Sequence, residues 1–386
     1  MRCPHCHADL KYRERSNRTC SRCKKAFALE PKENPFQLHD LAFRKVVEQL
    51  SQGGRWSYTV DQLRHRAGRK VAAAQVPSCA GAFGCLIPSV VIGIFVGIFV
   101  TNVAQTNQVP AVVGVIMGVL VVLLGIAITA YRMTLPFKFA LPMNTQKFTD
   151  TILNRWWSRY REQPPGLIDQ AVLNQVQMDA ARPDPHQVRA VVACPEPDVL
   201  TCLRANRAPE RLNIQLIPTR EPFTPTEQAT VERLRRAPGL PLVLLHDASP
   251  AGCLLAENIV QWLGLQPGHT IVDAGLHPEE AMREKMMRLG TSPPKQTLRL
   301  LQKRVSASGA PPAPGQHPRP LSQKEFDWLK KGYYTPILAA TPVGLVKKVV
   351  NALSQAAPGR DREQTPDPEQ QAQQEARDVG FMTWPA

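Results

Sequence analysis

Cys3-Pro4-His5-Cys6 and Cys20-Ser21-Arg22-Cys23 are two C-x2-C pairs separated by thirteen residues. Thiolates spaced in this way hold one Zn²⁺ tetrahedrally at about 2.3 Å, each pair supplying two sulfurs. Four protein thiolates fill the coordination shell, so the chemistry expected of Cys3, Cys6, Cys20 and Cys23 is structural. Disulfides are the competing use of the same residues. His5 and His7 lie beside the first pair and are expected to be solvated, since four sulfurs already suffice. A second candidate group lies far along the chain, where the carboxylates Glu196 and Asp247 each follow an apolar strand-like run.

About 30 residues bury too little apolar surface to fold unaided, so the ion is expected to supply the folding free energy of the first segment. The stretch from His7 to Thr19 is long enough for a short hairpin that brings the two pairs together. These cysteines, with the Cys-Ser-Arg-Cys-Lys-Lys-Ala-Phe run at 20–27, resemble the zinc-ribbon family over residues 1–30. Lys11, Arg13, Arg15, Arg18, Arg22, Lys24 and Lys25 make the segment basic. They suit a solvated face beside anionic lipid and, as the alternative, contact with nucleic-acid phosphates.

Next, Phe36, Leu38, Leu41, Phe43, Val46, Val47 and Leu50 recur at helical spacing, which predicts an amphipathic helix over 36–51 in a basic helical segment, 35–70. Thr59-Val60-Asp61-Gln62 has capping-box form and opens a second helix carrying Arg64, His65, Arg66, Arg69 and Lys70. Two helices joined by a turn suit a DNA-reading helix-turn-helix. The same charges also suit a cytoplasmic membrane flank.

From 71 to 131 no Asp, Glu, Lys, Arg or His occurs. The apolar runs 83–103 and 109–131 each exceed the roughly 20 residues a membrane helix requires. The expectation is a two-helix transmembrane hairpin in the lipid bilayer of the plasma membrane. Basic flanks on both sides predict a multi-pass protein with both termini cytoplasmic. Gly93-x3-Gly97 and Gly114-x3-Gly118 leave small faces for the hairpin to pack on itself or to form a homodimer.

Beyond it, Asn144 caps an expected helix to about Arg161, within a juxtamembrane segment 144–180. Over 188–290 apolar strand-like runs at 189–194, 212–217, 242–246 and 270–274 alternate with helical stretches. This predicts a C-terminal α/β domain with a mainly parallel sheet, Toprim-like or Rossmann-like. Glu196, Asp247, Ser249 and Asp273 follow the strands, where such sheets gather ligands. The run Leu244-Leu245-His246-Asp247-Ala248-Ser249-Pro250-Ala251-Gly252 resembles the Asp-x-Asp turn of the Toprim family of topoisomerases and primases. That resemblance implies Mg²⁺ on Glu196 and Asp247 for phosphoryl chemistry. Ser249 stands where the family has its third carboxylate, and Pro197 where it usually has Gly. Residues 305–320 read as a linker, 321–355 as helices opened by the Ser322–Glu325 capping box, and 357–386 as a disordered tail.

The fold class expected is therefore a multi-domain α/β membrane protein with a zinc ribbon, a membrane hairpin and a parallel-sheet domain. The function expected is a membrane-anchored interaction or regulatory protein with an unidentified cytoplasmic protein partner. A Mg²⁺-dependent nucleotide- or nucleic-acid-processing enzyme and a DNA-tethering protein are the alternatives.

Overall fold

The computed structural model describes residues 1–75, 90–99, 112–134, 136–169, 171–174, 188–266, 268–305 and 320–356. Most of the 305–320 linker and the 357–386 tail lie outside these residues. The N-terminal unit has helices α1 (Asp40–Ser51) and α2 (Val60–Gln75). His39 caps α1, its Nδ1 accepting from the Ala42 N–H at 3.3 Å. Thr59 and Gln62 cap α2 reciprocally, at 3.0 and 3.3 Å. Apolar residues of 28–67 and of 141–167 share one core. There Phe36 meets Phe148 edge-on at 5.4 Å, and the Phe43 ring centroid lies 4.7 Å from that of Trp156. The helix expected at 144–161 starts on the Asn144 cap, whose Oδ1 accepts from Lys147 N–H at 2.9 Å. It runs as α4 (Thr145–Phe148), a π-helical turn (Thr149–Leu153) and α5 (Asn154–Tyr160). Trp156 enters the core, whereas Trp157 stays exposed.

The membrane hairpin is corrected. Among the described residues no helix is long and apolar enough to cross a membrane. Of the first run, residues 90–99 are described. The second run forms α3 (Val112–Thr134). The multi-pass plasma-membrane location, with the orientation inferred from it, falls with the hairpin. Part of the basic flank has another role, since Arg64 pairs with Asp61 at 2.6 Å and donates to the Met143 carbonyl at 3.0 Å. The glycine faces do meet. A Cβ on Gly118 would lie 2.8 Å from the Gly93 carbonyl oxygen and 3.3 Å from the Gly97 Cα.

The α/β unit is a four-stranded parallel sheet in the order β2-β1-β3-β4. Its strands are β1 (Ala190–Cys194), β2 (Ile214–Pro218), β3 (Leu242–Leu244) and β4 (Ile271–Asp273). All five β1 residues are buried, as a strand covered on both faces requires. Ala190, Val192 and Cys194 join one core, and Val191 and Ala193 join the other. Helices α6 (Pro197–Ala205), α7 (Ala208–Leu212), α8 (Pro225–Arg236), α9 (Pro250–Cys253), α10 (Leu255–Leu263) and α11 (Pro278–Arg283) alternate with the strands. α11 stops at Arg283, and Leu289–Gly290 forms β5, antiparallel to β6 (Tyr333–Tyr334). α12 (Lys295–Gln302), α13 (Gln323–Lys330) and α14 (Pro342–Ala356) complete the described chain, with the Ser322–Glu325 capping box formed.

Several contacts join the units, among them the Phe139–Gly290 backbone pair at 3.2 and 2.8 Å. The Asn206 side-chain amide accepts from Ser57 N–H at 2.9 Å and donates to Ser57 C=O at 2.8 Å. Ala72 of α2 packs with Met287 and Leu289.

Candidate metal centre

Each cysteine pair sits on a tight turn with the same wiring. His7 and Lys24 adopt positive φ and donate to the carbonyls of Cys3 and Cys20, at 3.1 and 2.9 Å. Arg2–Asp9 and Thr19–Ala26 bridges close the two turns, and a 3-10 turn (Tyr12–Arg18) joins them in place of the expected hairpin. The four Sγ atoms lie within 4.8 Å of one another. Cys3–Cys23 and Cys6–Cys20 are separated by 3.7 and 3.8 Å. A tetrahedron of sulfurs about 2.3 Å from its centre has edges of about 3.8 Å, so the cage has the size of a Zn²⁺ site. The same separations are far beyond a disulfide bond of about 2.05 Å. His5 is neither a ligand nor free, since its Nε2 lies 3.0 Å from the Ala26 carbonyl across the two turns. Burial lifts the Cys3 thiol to about 11. Burial would also raise Cys20, but the N–H groups of Cys23 and Arg22 outweigh it and bring that thiol to about 7.

The basic side chains around this cage are partly engaged. Arg15 forms a buried pair with Glu30 at 2.8 Å, and Arg18 lies 3.8 Å from Glu33. A cleft of about 550 Å³ between the cage and α5 is lined by Arg18, Phe27, Arg155 and Arg159. Arg155 also faces Glu33, and Arg159 donates to the Ala26 carbonyl. On α2, His65 is buried and its Nδ1 donates to the Asp61 carbonyl at 2.8 Å, while Arg66 bonds Gln49. Arg64, His65 and Arg66, residues that a DNA-reading helix would present outward, thus bond within the fold.

That burial has a pH consequence. Burial lowers His65 and His39 below the ordinary 6.5. Burial would raise Asp61, yet its bonds from Arg64 and Thr145 hold it below 3.8. All three bind protons more readily when unfolded, so their contribution to stability is present at high pH and lost on acidification. Melting followed by Trp156 fluorescence should therefore shift down once the pH falls below 6.5, and His65→Gln should flatten the first part of that slope.

The second candidate group lies where the sheet order reverses, between β1 and β3, the usual crevice of such folds. Glu196 follows β1 and Asp247 follows β3, and they are neighbours. Burial, then the Asp247 charge, raises Glu196. Asp247 is itself raised by burial, against the Ile337 N–H that its Oδ1 accepts at 2.7 Å. Ser249 caps α9, accepting from Gly252 N–H at 3.0 Å. The strap carrying Ile337 crosses this turn through paired Ala248–Thr335 backbone bonds of 3.0 and 3.1 Å.

Sequence reasoning named Asp273 as a strand-end residue but missed its grouping with His246 and His277, the three donor atoms lying within 4.8 Å of one another. The legible signal was Asp273-x3-His277 across a strand end, opposite a histidine ending the preceding strand. His246 Nε2 is 2.8 Å from Asp273 Oδ1, and its Nδ1 is 2.8 Å from the Asp247 carbonyl. Both partners are acceptors, so the ring donates from both nitrogens. Burial alone would lower His246 and raise Asp273. Their mutual attraction reverses both, lifting the imidazole and holding the carboxyl well below its usual range. Gly252 and Gly275 press on the ring, since a Cβ on either would come within 2.8 or 2.3 Å of it. Cys194, Cys202 and Cys253 are buried, free of disulfides and outside these clusters. Comparison with known proteins finds no matching family model and no matching curated protein.

Proposed function

We propose that this chain is an interaction or regulatory protein in which a thiolate-bound zinc ion shapes a recognition module carried by a non-catalytic α/β scaffold. The observation that carries this reading is the strap over the crevice. Asp247 is engaged by Ile337 N–H, and Ser249 caps a helix, where Mg²⁺ would need free carboxylate oxygens. The Ser57–Asn206 bonds support it further by fastening the zinc-bearing unit to the scaffold.

One observation favours a Mg²⁺-dependent nucleotide- or nucleic-acid-processing enzyme instead. Glu196 and Asp247 stand close enough for the charge of one to raise the other, and a divalent cation relieves such repulsion. Calorimetric titration of the full chain with Mg²⁺ and nucleoside triphosphate, to millimolar concentration, separates the two readings. No saturable heat is expected. Saturable binding abolished by Asp247→Ala would overturn the scaffold reading. Duplex DNA binding that falls steeply with salt would point instead to a tethering role.

A further inference from the structure

We infer that His246, Asp273 and His277 form a second metal site, for one divalent transition-metal ion of the zinc class, independent of the cysteine cage. The first argument is convergence. His246 Nε2 and His277 Nε2 aim at the same carboxylate oxygen, Asp273 Oδ1, at 2.8 and 3.3 Å. That oxygen also accepts the Gly275 N–H at 3.1 Å. Three donors on one carboxylate oxygen exceed its share of lone pairs, about two of the four on the group. An ion among these atoms removes the conflict, because both imidazoles then present lone pairs instead of protons.

The second argument is size. Adjacent ligands held at about 2.0–2.1 Å are roughly 3.0 Å apart on an octahedral ion and roughly 3.4 Å apart on a tetrahedral one. The observed 2.8 and 3.3 Å separations sit at those edges. The third argument is the outer shell. Metal-ligating histidines donate their other ring nitrogen to a carbonyl or carboxylate, which fixes ring orientation. His246 Nδ1 does so to the Asp247 carbonyl, and Gly252 and Gly275 hold the ring in place.

Imidazole and carboxylate donors together suit Zn²⁺, Fe²⁺, Co²⁺ or Ni²⁺ better than Mg²⁺. Binding releases the His246 Nε2 proton to solvent, and three protein donors leave at least one position open to water. The site therefore differs in kind from the closed sulfur cage.

His277 is the variant to make. It is 18% exposed and precedes α11 without capping it by its side chain, so His277→Gln leaves the fold's caps in place. The full chain and this variant are loaded with Zn²⁺, dialysed against metal-free buffer and counted by mass spectrometry of the metal. Two ions per wild-type chain are expected, falling to one in His277→Gln with unchanged circular dichroism. Loading with Co²⁺ should show the thiolate charge-transfer band in both proteins and loss of a weaker visible band in the variant alone. One ion in the wild-type chain, or two retained by the variant, overturns the proposal. A wild-type count of one does so however the variant folds.

Discussion

Treating the protein with a strong chelator should unfold residues 1–27 while leaving the parallel sheet intact. The apolar core around the cage consists of Cys3, Leu10 and Cys20, with Ala8 and Cys23 half-buried against it. Three buried side chains, two of them ligands, cannot offset the ordering entropy of about 1–2 kcal/mol per residue. Structural zinc contributes about 10–16 kcal/mol at neutral pH in comparable modules, and the remaining bonds across the two turns are too few to replace it. Hydrogen exchange at the amides of Cys3, Cys20 and Phe27, which are bonded to Ala8, Lys25 and Arg18 carbonyls, is the measurement. Protection there should collapse with the chelator, and equally in Cys20→Ser. Unchanged protection in the metal-free chain would refute a zinc-held segment.

Asp40→Ala should be among the most damaging single changes outside the cage. The carboxylate is fully buried. It accepts Ala28 N–H at 3.0 Å and Leu29 N–H at 2.7 Å, and the Tyr160 hydroxyl also donates to it. Tyr160 is pushed up by burial, with the Asp40 charge adding to the effect. One side chain thus ties the exit of the zinc segment to the first turn of α1 and the last turn of α5. At the N-terminal end of a helix its charge is also favoured by the peptide dipoles. Truncation strands two buried amides and a hydroxyl, with an expected cost of about 3–5 kcal/mol. Urea unfolding should show that loss in the N-terminal unit, and a loss under about 1 kcal/mol would mean water replaces the carboxylate there.

Much of the α/β unit was legible because its signals are local. A run such as Leu242–Leu245 between turn residues reads as a buried strand from its composition alone, and Pro250 after Ser249 marks a helix start. The cysteine cage was legible for the same reason, since each pair closes within four residues. The N-terminal core was not, because its halves are drawn from 28–67 and 141–167. Periodicity showed that Phe43 and Trp156 each lie on an apolar face, but it carries no information about the partner. The apolar runs mislead in the opposite way: their length and lack of charge predict a span, and among the described residues no helix is long and apolar enough to make one. The β5–β6 pair escaped notice because strands of two residues have no period to detect. His277 was missed because its meaning depends on His246, thirty-one positions earlier, arriving at the same oxygen.

The amide of Asn206 grips the main chain of residue 57 and ignores its side chain. Genetic drift at the two positions should therefore be lopsided. Serine 57 can be exchanged for almost anything except proline, which has no N–H to give, whereas position 206 has no substitute of the same reach with both a donor and an acceptor. A library randomised at both codons would retain a spread of residues at one and a single residue at the other.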